Sequence, residues 1–211
     1  MDAAARRKFF AALRKQNPSP TTELLYENTY QLLVAVVLSA QATDKGVNRA
    51  TRALFARVKN AAAMNALGEE KLTEYIRTIG LFRAKARNIA ALSRLLTERH
   101  GGEVPRRRAE LEALPGVGRK TANVVLNTAF GEATIAVDTH IFRVANRTGL
   151  APGKNPAAVE EHLLQTVPRP YRKNAHHWLI LHGRYVCRAR KPLCGACITR
   201  RWCEFSGKES D

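Results

Sequence analysis

The sequence predicts an all-α protein made of many short helices joined by short turns. Apolar residues recur at the three- and four-residue spacing of half-buried helices along most of the chain, for example at Val47, Ala50 and Leu54. The alternating pattern of strands is almost absent, and the one β-branched run, 134–137, has no partner strand near it. With 211 residues, 45% of them hydrophobic, the chain can bury the core of one large or two small domains.

The predicted helices follow one another from the N-terminus with few long connections. The first is a short amphipathic helix, which Asn17-Pro18-Ser19-Pro20 separates from the rest. Apolar spacing predicts further helices, in chain order, near residues 32–37, 47–58, 85–100, 119–129, 157–167 and 173–186. A break at Gly131-Glu132 divides the chain. We therefore expect one domain over 21–132 and a second over 1–20 plus 133–211, with the N-terminal helix packed in the second.

The charge of the chain predicts a polyanionic partner. Lys and Arg number 35 against 18 Asp and Glu, which gives a formal charge of +17. So much unpaired charge works against the compact state, and duplex DNA or RNA is the first candidate to neutralise it. The longest apolar run, 32–38, is too short to span a membrane. The N-terminus lacks the apolar core and cleavage site of a signal peptide, so we expect a cytoplasmic protein without membrane association.

Four cysteines near the C-terminus predict a metal site. Cys187, Cys194, Cys197 and Cys203 are the only cysteines and have the spacing C-x6-C-x2-C-x5-C. Four soft thiolates on one short loop suit a [4Fe–4S] cluster. A structural zinc site is the main alternative, but zinc ribbons usually carry two C-x2-C pairs and this loop has one. Two disulfides are less expected in a chain without a secretory signal.

Residues 111–122 predict a helical hairpin that binds a phosphate group. Pro115 ends one helix, and a second begins near Arg119. Between them, Gly116 and Gly118 lack a Cβ, so that backbone N–H groups can approach an anion at the positive end of the new helix. This is a helix-hairpin-helix pattern, which binds a DNA phosphate without reading sequence. A plain turn between two helices is the alternative, but it would not require both glycines and the basic pair that follows.

Lys120 and Asp138 are the candidate catalytic residues. Lys120 stands in the first turn of the second hairpin helix, where the helix dipole disfavours the ammonium and favours the neutral amine that attacks carbon. A simple phosphate contact is the alternative for Lys120. Asp138 follows an apolar run and precedes a helix, which suits an N-cap. A capping carboxylate can also face a cleft, so the residues leave both roles of Asp138 open.

Three motifs together resemble the endonuclease III family: L-P-G-V-G-R-K at 114–120, V-D-T-H at 137–140 and the cysteine loop at 187–203. The segments 38–44 (LSAQATD) and 176–187 (HHWLILHGRYVC) resemble it too. The resemblance implies a base-excision-repair DNA glycosylase with AP lyase activity, which acts on oxidised pyrimidines in duplex DNA. It also implies two helical domains with a DNA-binding cleft between them. One is a six-helix barrel with the hairpin, and the other holds the [4Fe–4S] cluster.

The resemblance also assigns roles to single residues. Lys120 would attack the sugar C1′, expel the base and form a Schiff base, after which β-elimination would cut the strand 3′ to the lesion. Asp138 would help to activate Lys120 and stabilise the cationic sugar. Gln41 would fill the gap left by the flipped nucleotide, and Leu81 would wedge beside the orphaned base. The alternatives are a helix-end polar residue for Gln41 and a core leucine for Leu81.

Further DNA contacts are implied at the hairpin, after Asp138 and near the cysteine loop. They are Leu114, Gly116, Gly118, Arg119, His140, Arg143 and Arg184. A helix-packing role is an equal alternative for His140. Basic side chains in the cysteine loop would hold phosphates, so we expect the cluster to have a structural and DNA-docking role. A monomer is expected, because an interface at the cleft would block DNA.

Three other functions are weighed against this one. An adenine DNA glycosylase would share the hairpin and the cysteines, but it lacks the catalytic lysine and carries a Glu in an early helix. Here Lys120 is present and the helix near 32–37 contains no acid. A non-catalytic DNA-binding module would need neither Lys120 nor Asp138. A zinc hydrolase would need an open coordination position, which four cysteines on one loop do not leave.

Overall fold

A computed structural model describes residues 1–208 and confirms the all-α prediction, since no strand occurs in that range. The helices are α1 (Ala3–Gln16), α2 (Thr29–Ser39), α3 (Asp44–Arg57), α4 (Ala61–Leu67), α5 (Glu69–Ile76), α6 (Phe82–His100), α7 (Arg108–Glu112), α8 (Arg119–Phe130), α9 (Thr139–Thr148), α10 (Pro156–Thr166) and α11 (Arg172–Tyr185). Short 3₁₀ turns occur at Arg169–Tyr171 and Arg200–Trp202. The run 134–137 has no regular secondary structure and is buried.

The chain folds into two compact units. One consists of Glu23–Phe130, and the other combines Met1–Thr22 with the chain from Gly131 onward. Each unit has a hydrophobic core of its own.

The unit Glu23–Phe130 is built around α2. Every residue from Tyr30 to Leu38 is buried, and all but Gln31 and Tyr30 are purely apolar, as expected of a central helix. It packs against α3, α6 and α8. Side chains of Asn28, Thr43 and Asn60 cap the N-termini of α2, α3 and α4 by accepting hydrogen bonds from backbone N–H groups. The caps fix where these helices begin, and therefore where the loops between them lie.

The second unit joins both ends of the chain through an aromatic cluster. Phe10 on α1 stacks on Tyr171 at 5.7 Å between ring centroids, and both rings contact Trp178 on α11. The indole Nε1 of Trp178 donates to the carbonyl oxygen of Asn17 at 2.7 Å. Such aromatic contacts bury large apolar areas and satisfy the one polar atom involved. The end of α1 is thereby attached to α11, which leads into the cysteine loop.

The short helices α4 and α5 are absent from the sequence-based prediction. They contain 7 and 8 residues, too few for apolar periodicity to show. The first helix of the predicted hairpin is present as α7, which ends at Glu112, shortly before Pro115. The predicted helix at 85–100 begins earlier in the structure, at Phe82, because Leu81 takes a left-handed conformation directly before it.

Candidate functional site

The hairpin turn joins α7 to α8 and contains two glycines. Only one of them stands where no other residue type would fit. Gly116 has φ +78°, and a Cβ there would lie 3.0 Å from the side chain of Asn88 on α6. Leu114 and Val117 are buried and anchor the turn on both sides. At Gly118, by contrast, φ is ordinary and a Cβ would meet open space. The packing of the protein therefore requires glycine at 116 but not at 118.

Lys120 lies exposed in the first turn of α8, with no acidic residue in that turn. Within residues 1–208 its ammonium forms no ion pair. Its amine is therefore available to a reactant that approaches the hairpin.

Asp138 is the N-cap of α9. One carboxylate oxygen, Oδ1, accepts a hydrogen bond from the backbone N–H of Ile141 at 2.8 Å. A carboxylate has two acceptor oxygens. The side chain is half-buried, so it caps the helix while part of the carboxylate remains at the surface.

Gln41 and Leu81 share an unusual backbone conformation. The described chain has three non-glycine residues with positive φ: Gln41 at 54°, Leu81 at 59° and Lys191 at 49°. This conformation costs about 1–2 kcal/mol for a residue with a Cβ. Leu81 is 62% exposed, so it is not the core leucine that was its alternative reading. Gln41 is exposed as well, in the loop between α2 and α3.

His140 and Arg143 on α9 have partners within the protein. Arg143 donates through Nε to the carbonyl oxygen of Cys187 at 2.9 Å and through Nη2 to that of Gly183 at 2.7 Å. The same Nη2 lies 3.2 Å from Nδ1 of His140. A Cβ at Gly183 would come within 2.9 Å of the His140 Cβ, so α9 and α11 approach closely here. Arg184, near the end of α11, is half-buried.

The four cysteines line one small recess that is partly open to solvent. Thr148, His182 and Phe205 are also part of its wall. Burial raises the pKa of the Cys187 and Cys203 thiols above the ordinary value, and the nearby Arg147 acts in the opposite direction on Cys187. Within residues 1–208, no three His, Cys, Asp or Glu side chains are grouped so as to hold a single metal ion.

Arg147, in the last turn of α9, holds the start of the cysteine loop and was missed by sequence reasoning. Its guanidinium donates to the carbonyl oxygens of Arg188 at 2.6 Å and Ala189 at 2.8 Å. It lies 3.9 Å from the Cys187 Sγ and 4.9 Å from the ring centre of Phe205. Its spacing of four residues from Arg143 places both on one face of α9, and that was the available signal.

The comparisons with known proteins identify the family. Residues 34–169 match the model of the HhH-GPD superfamily base excision DNA repair proteins. The chain is 59% identical to endonuclease III of Escherichia coli strain K12 over 208 residues, which cover 99% of both chains. Its identity to endonuclease III of Haemophilus influenzae is also 59%, with the same coverage.

The chain belongs to the endonuclease III family.

Its fold agrees with that of solved endonuclease III structures. It superposes on a trapped endonuclease III–DNA covalent intermediate with a TM-score of 0.89 and 42% identity, covering 97% of this chain and 96% of the other. A non-covalent endonuclease III–DNA complex gives the same TM-score at 43% identity. As a member of the endonuclease III family, the protein is a base-excision-repair DNA glycosylase and AP lyase. No helix within residues 1–208 is long and apolar enough to cross a membrane.

Proposed function

We propose that this enzyme removes oxidised pyrimidines from duplex DNA and cuts the strand 3′ to the abasic site, with Lys120 as its nucleophile. The observation that carries this assignment is the exposed Lys120 amine, without an ion pair, at the first turn of α8 directly behind the hairpin. A nucleophile must reach the reacting atom with its lone pair free. No acidic residue stands in that turn to engage the Lys120 side chain.

The chemistry follows from the amine. The Lys120 Nζ forms a bond to C1′ of the flipped nucleotide, and the glycosidic bond breaks with its electron pair leaving on the base. Loss of the amine proton and opening of the sugar ring give a Schiff base. Removal of a C2′ proton then expels the 3′ phosphate by β-elimination. The positive charge that develops on the sugar would be stabilised by a carboxylate, and we assign that role to Asp138.

The hairpin would hold a DNA phosphate next to this reaction. The open space at Gly118 supports the assignment, because the protein's own packing gives no reason for the missing Cβ. A backbone without a Cβ at the start of a helix lets N–H groups approach an anion closely. Leu114, Gly116 and Arg119 would shape and charge the same surface.

Gln41 and Leu81 would replace the flipped nucleotide in the base stack. Strained backbone at exposed positions is typical of functional sites, and both residues have it. An exposed leucine can enter a base step, as apolar wedges do in other DNA-bending proteins. His140, Arg143 and Arg184 are proposed as weaker DNA contacts, and the internal bonds of Arg143 support a role in orienting the loop that follows α11.

The four cysteines would hold a [4Fe–4S] cluster. The lining of one recess by all four thiols supports a shared metal group, and four thiolates on one short loop suit a [4Fe–4S] cluster. The cluster would crosslink the loop 187–203, and Arg147 would hold the loop's start toward it. Iron and sulfide analysis, with the visible absorption of iron–sulfide charge transfer, distinguishes the two metals.

We further propose that the enzyme acts as a monomer on damaged duplex DNA in the bacterial cytoplasm. The relatives that match almost the whole chain come from bacteria, which supports a bacterial cytoplasmic location. We also propose a functional division into a hairpin domain over 21–132 and a cluster domain over 1–20 plus 133–211. The two compact units support that division. Sedimentation of the protein with and without a lesion duplex tests the oligomeric state.

The decisive experiment is borohydride trapping on a duplex with one thymine glycol. Wild-type protein is expected to give a covalent protein–DNA band, and Lys120→Ala is expected to give none while it still binds an abasic-site duplex. Lys154→Ala is the matched control, because it removes an exposed lysine from the loop before α10. A band of full intensity from Lys120→Ala would remove Lys120 as the nucleophile.

A further inference from the structure

Lys85 is a lysine in a core position. It lies on the face of α6 that also carries Ile89 and Leu92, and 5% of its surface is exposed. A buried ammonium costs free energy unless polar groups surround it. Within residues 1–208 no carboxylate pairs with Lys85. Burial accordingly lowers its pKa below the ordinary lysine value. A residue with this cost must supply something that an apolar side chain cannot.

Lys85 supplies a hydrogen bond to the buried end of α2. The last four carbonyl groups of a helix have no partner within it. In α2, three of these four carbonyl oxygens accept hydrogen bonds from groups of residues 39–42, with donor–acceptor distances of 2.8, 3.5 and 3.0 Å. The fourth is the carbonyl oxygen of Leu38, a fully buried residue. It accepts a hydrogen bond from the Lys85 Nζ at 2.9 Å. The cation also suits the negative end of the helix dipole.

Lys85 stands in the first turn of α6, directly after the loop that holds Leu81. Its backbone N–H makes the ordinary helical bond to the carbonyl oxygen of Leu81 at 3.0 Å, so its side chain starts one turn from that residue. The two loops lie side by side, since a Cβ at Gly80 would be 4.0 Å from the carbonyl oxygen of Gln41. Lys85 is therefore attached through its backbone to Leu81 and through its side chain to the carbonyl three residues before Gln41.

We propose that Lys85 is a positioning residue that holds Gln41 and Leu81 in their left-handed conformations before DNA binds. It joins the end of α2 to the start of α6, so that two strained loops are held by one buried side chain. Strained residues keep their conformation only where the surrounding structure determines it strongly. Lys85 touches no substrate in this scheme. The inference rests on the wedge roles proposed above for Gln41 and Leu81.

The first test needs no activity. In Lys85→Met the apolar stem is kept and the donor is lost. Amide hydrogen exchange at Ala40 and Ala42 is expected to rise about tenfold, since a bond from a charged donor is removed, with little change elsewhere in Glu23–Phe130. Lys71→Met is the matched control, because Lys71 is an exposed lysine of the same unit, paired with Glu74 at 3.2 Å.

The second test separates positioning from a general loss of structure. A wedge matters only where a partner strand and a base stack are present, so two substrates are compared: a thymine glycol duplex and a single-stranded abasic oligonucleotide. Lys85→Met is expected to slow single-turnover cleavage of the duplex about tenfold, and that of the single strand less than about twofold. In a Gln41→Ala, Leu81→Ala background, Lys85→Met is expected to have almost no further effect on the duplex.

The outcomes are distinct. Unchanged exchange near Ala40 and Ala42, equal losses on both substrates, or a full additional loss in the double-alanine background would each overturn the inference. If wild-type protein cuts neither substrate while Lys85→Met still raises exchange locally, the proposed function fails and the positioning of the two loops by Lys85 stands.

Discussion

The hairpin turn at 113–118 and the cysteine loop at 187–203 are both irregular segments with specific motifs, yet they are held in different ways. The hairpin is held by its own backbone and by packing: Gly116 fits against Asn88, and Leu114 and Val117 are buried. The start of the cysteine loop is held by a distant side chain, Arg147, which bonds the carbonyl oxygens of Arg188 and Ala189.

The difference concerns what each segment needs in order to be formed. The hairpin is complete with protein atoms alone, so its surface is ready before a phosphate arrives. The cysteine loop turns four thiols toward one recess, and burial raises the pKa of two of them, Cys187 and Cys203. Thiols in such surroundings favour the neutral form until a metal takes the place of the proton. If the loop holds the proposed cluster, we expect its stability to depend on that cluster.

The largest expected effect comes from removing a cysteine. Cys197→Ser should destabilise the unit that carries the loop by several kcal/mol, because metal binding contributes directly to folding free energy. The hairpin should keep its structure. Segment-resolved hydrogen exchange checks this: protection should fall across 172–208 and persist across 108–130. Equal loss of protection in both segments would show that the hairpin is not self-sufficient.

Acid should weaken the same unit. His177 on α11 is buried, and burial lowers its pKa from 6.5 to about 4. His177 binds a proton near pH 6.5 in the unfolded chain, but only near pH 4 in the folded protein. The contribution of His177 to stability is thus complete above pH 6.5 and falls between pH 6.5 and 4, by up to about 3 kcal/mol.

Denaturant unfolding followed at neutral pH and at about pH 5 measures this effect. His177→Gln should reduce the difference between the two conditions, and the part due to His182, whose pKa burial also lowers to about 4, should remain. An unchanged pH dependence in the variant would show that His177 does not titrate as its burial requires.

The two hairpin glycines offer a matched pair. Gly116→Ala adds a Cβ at φ +78° and 3.0 Å from Asn88, which should cost about 2 kcal/mol of stability. Gly118→Ala adds the same atom into open space and should cost less than about 0.5 kcal/mol. If Gly118 faces a phosphate, that variant should nevertheless bind duplex DNA more weakly. Calorimetry and binding titrations together test both statements, and equal stability losses would contradict the first.

A small effect on stability, together with a large effect on catalysis, is expected at Asp138. Asp138→Ala removes the N-cap of α9 and should cost about 1 kcal/mol. Asp138→Asn keeps a capping oxygen and should fold with nearly wild-type stability, while it loses about 10²–10⁴-fold in single-turnover base removal. Full activity of Asp138→Asn would leave Asp138 with the capping role alone.

The fold class and the family could be predicted from the sequence, because the signals for both are local. The all-α fold follows from apolar spacing, and the family follows from motifs whose residues are neighbours in the chain. Leu81 could not be placed from its neighbours, since a leucine between helices is usually buried, and its exposure follows from a left-handed backbone that no residue type there demands. The short helices α4 and α5 were equally impossible to predict, because their tertiary packing and not their periodicity stabilises them.

What the sequence determined alone is the chemistry: an amine behind a glycine hairpin, a carboxylate before a helix and four thiols on one loop. What only the tertiary structure decided is which residues hold these groups in place. Lys85 occupies an apolar position of its helix in the sequence, yet its partner is a carbonyl 47 residues away. Arg147 likewise reaches carbonyls more than 40 residues distant. Such hydrogen bonds leave no local pattern, because the groups that accept them are backbone atoms that every residue carries.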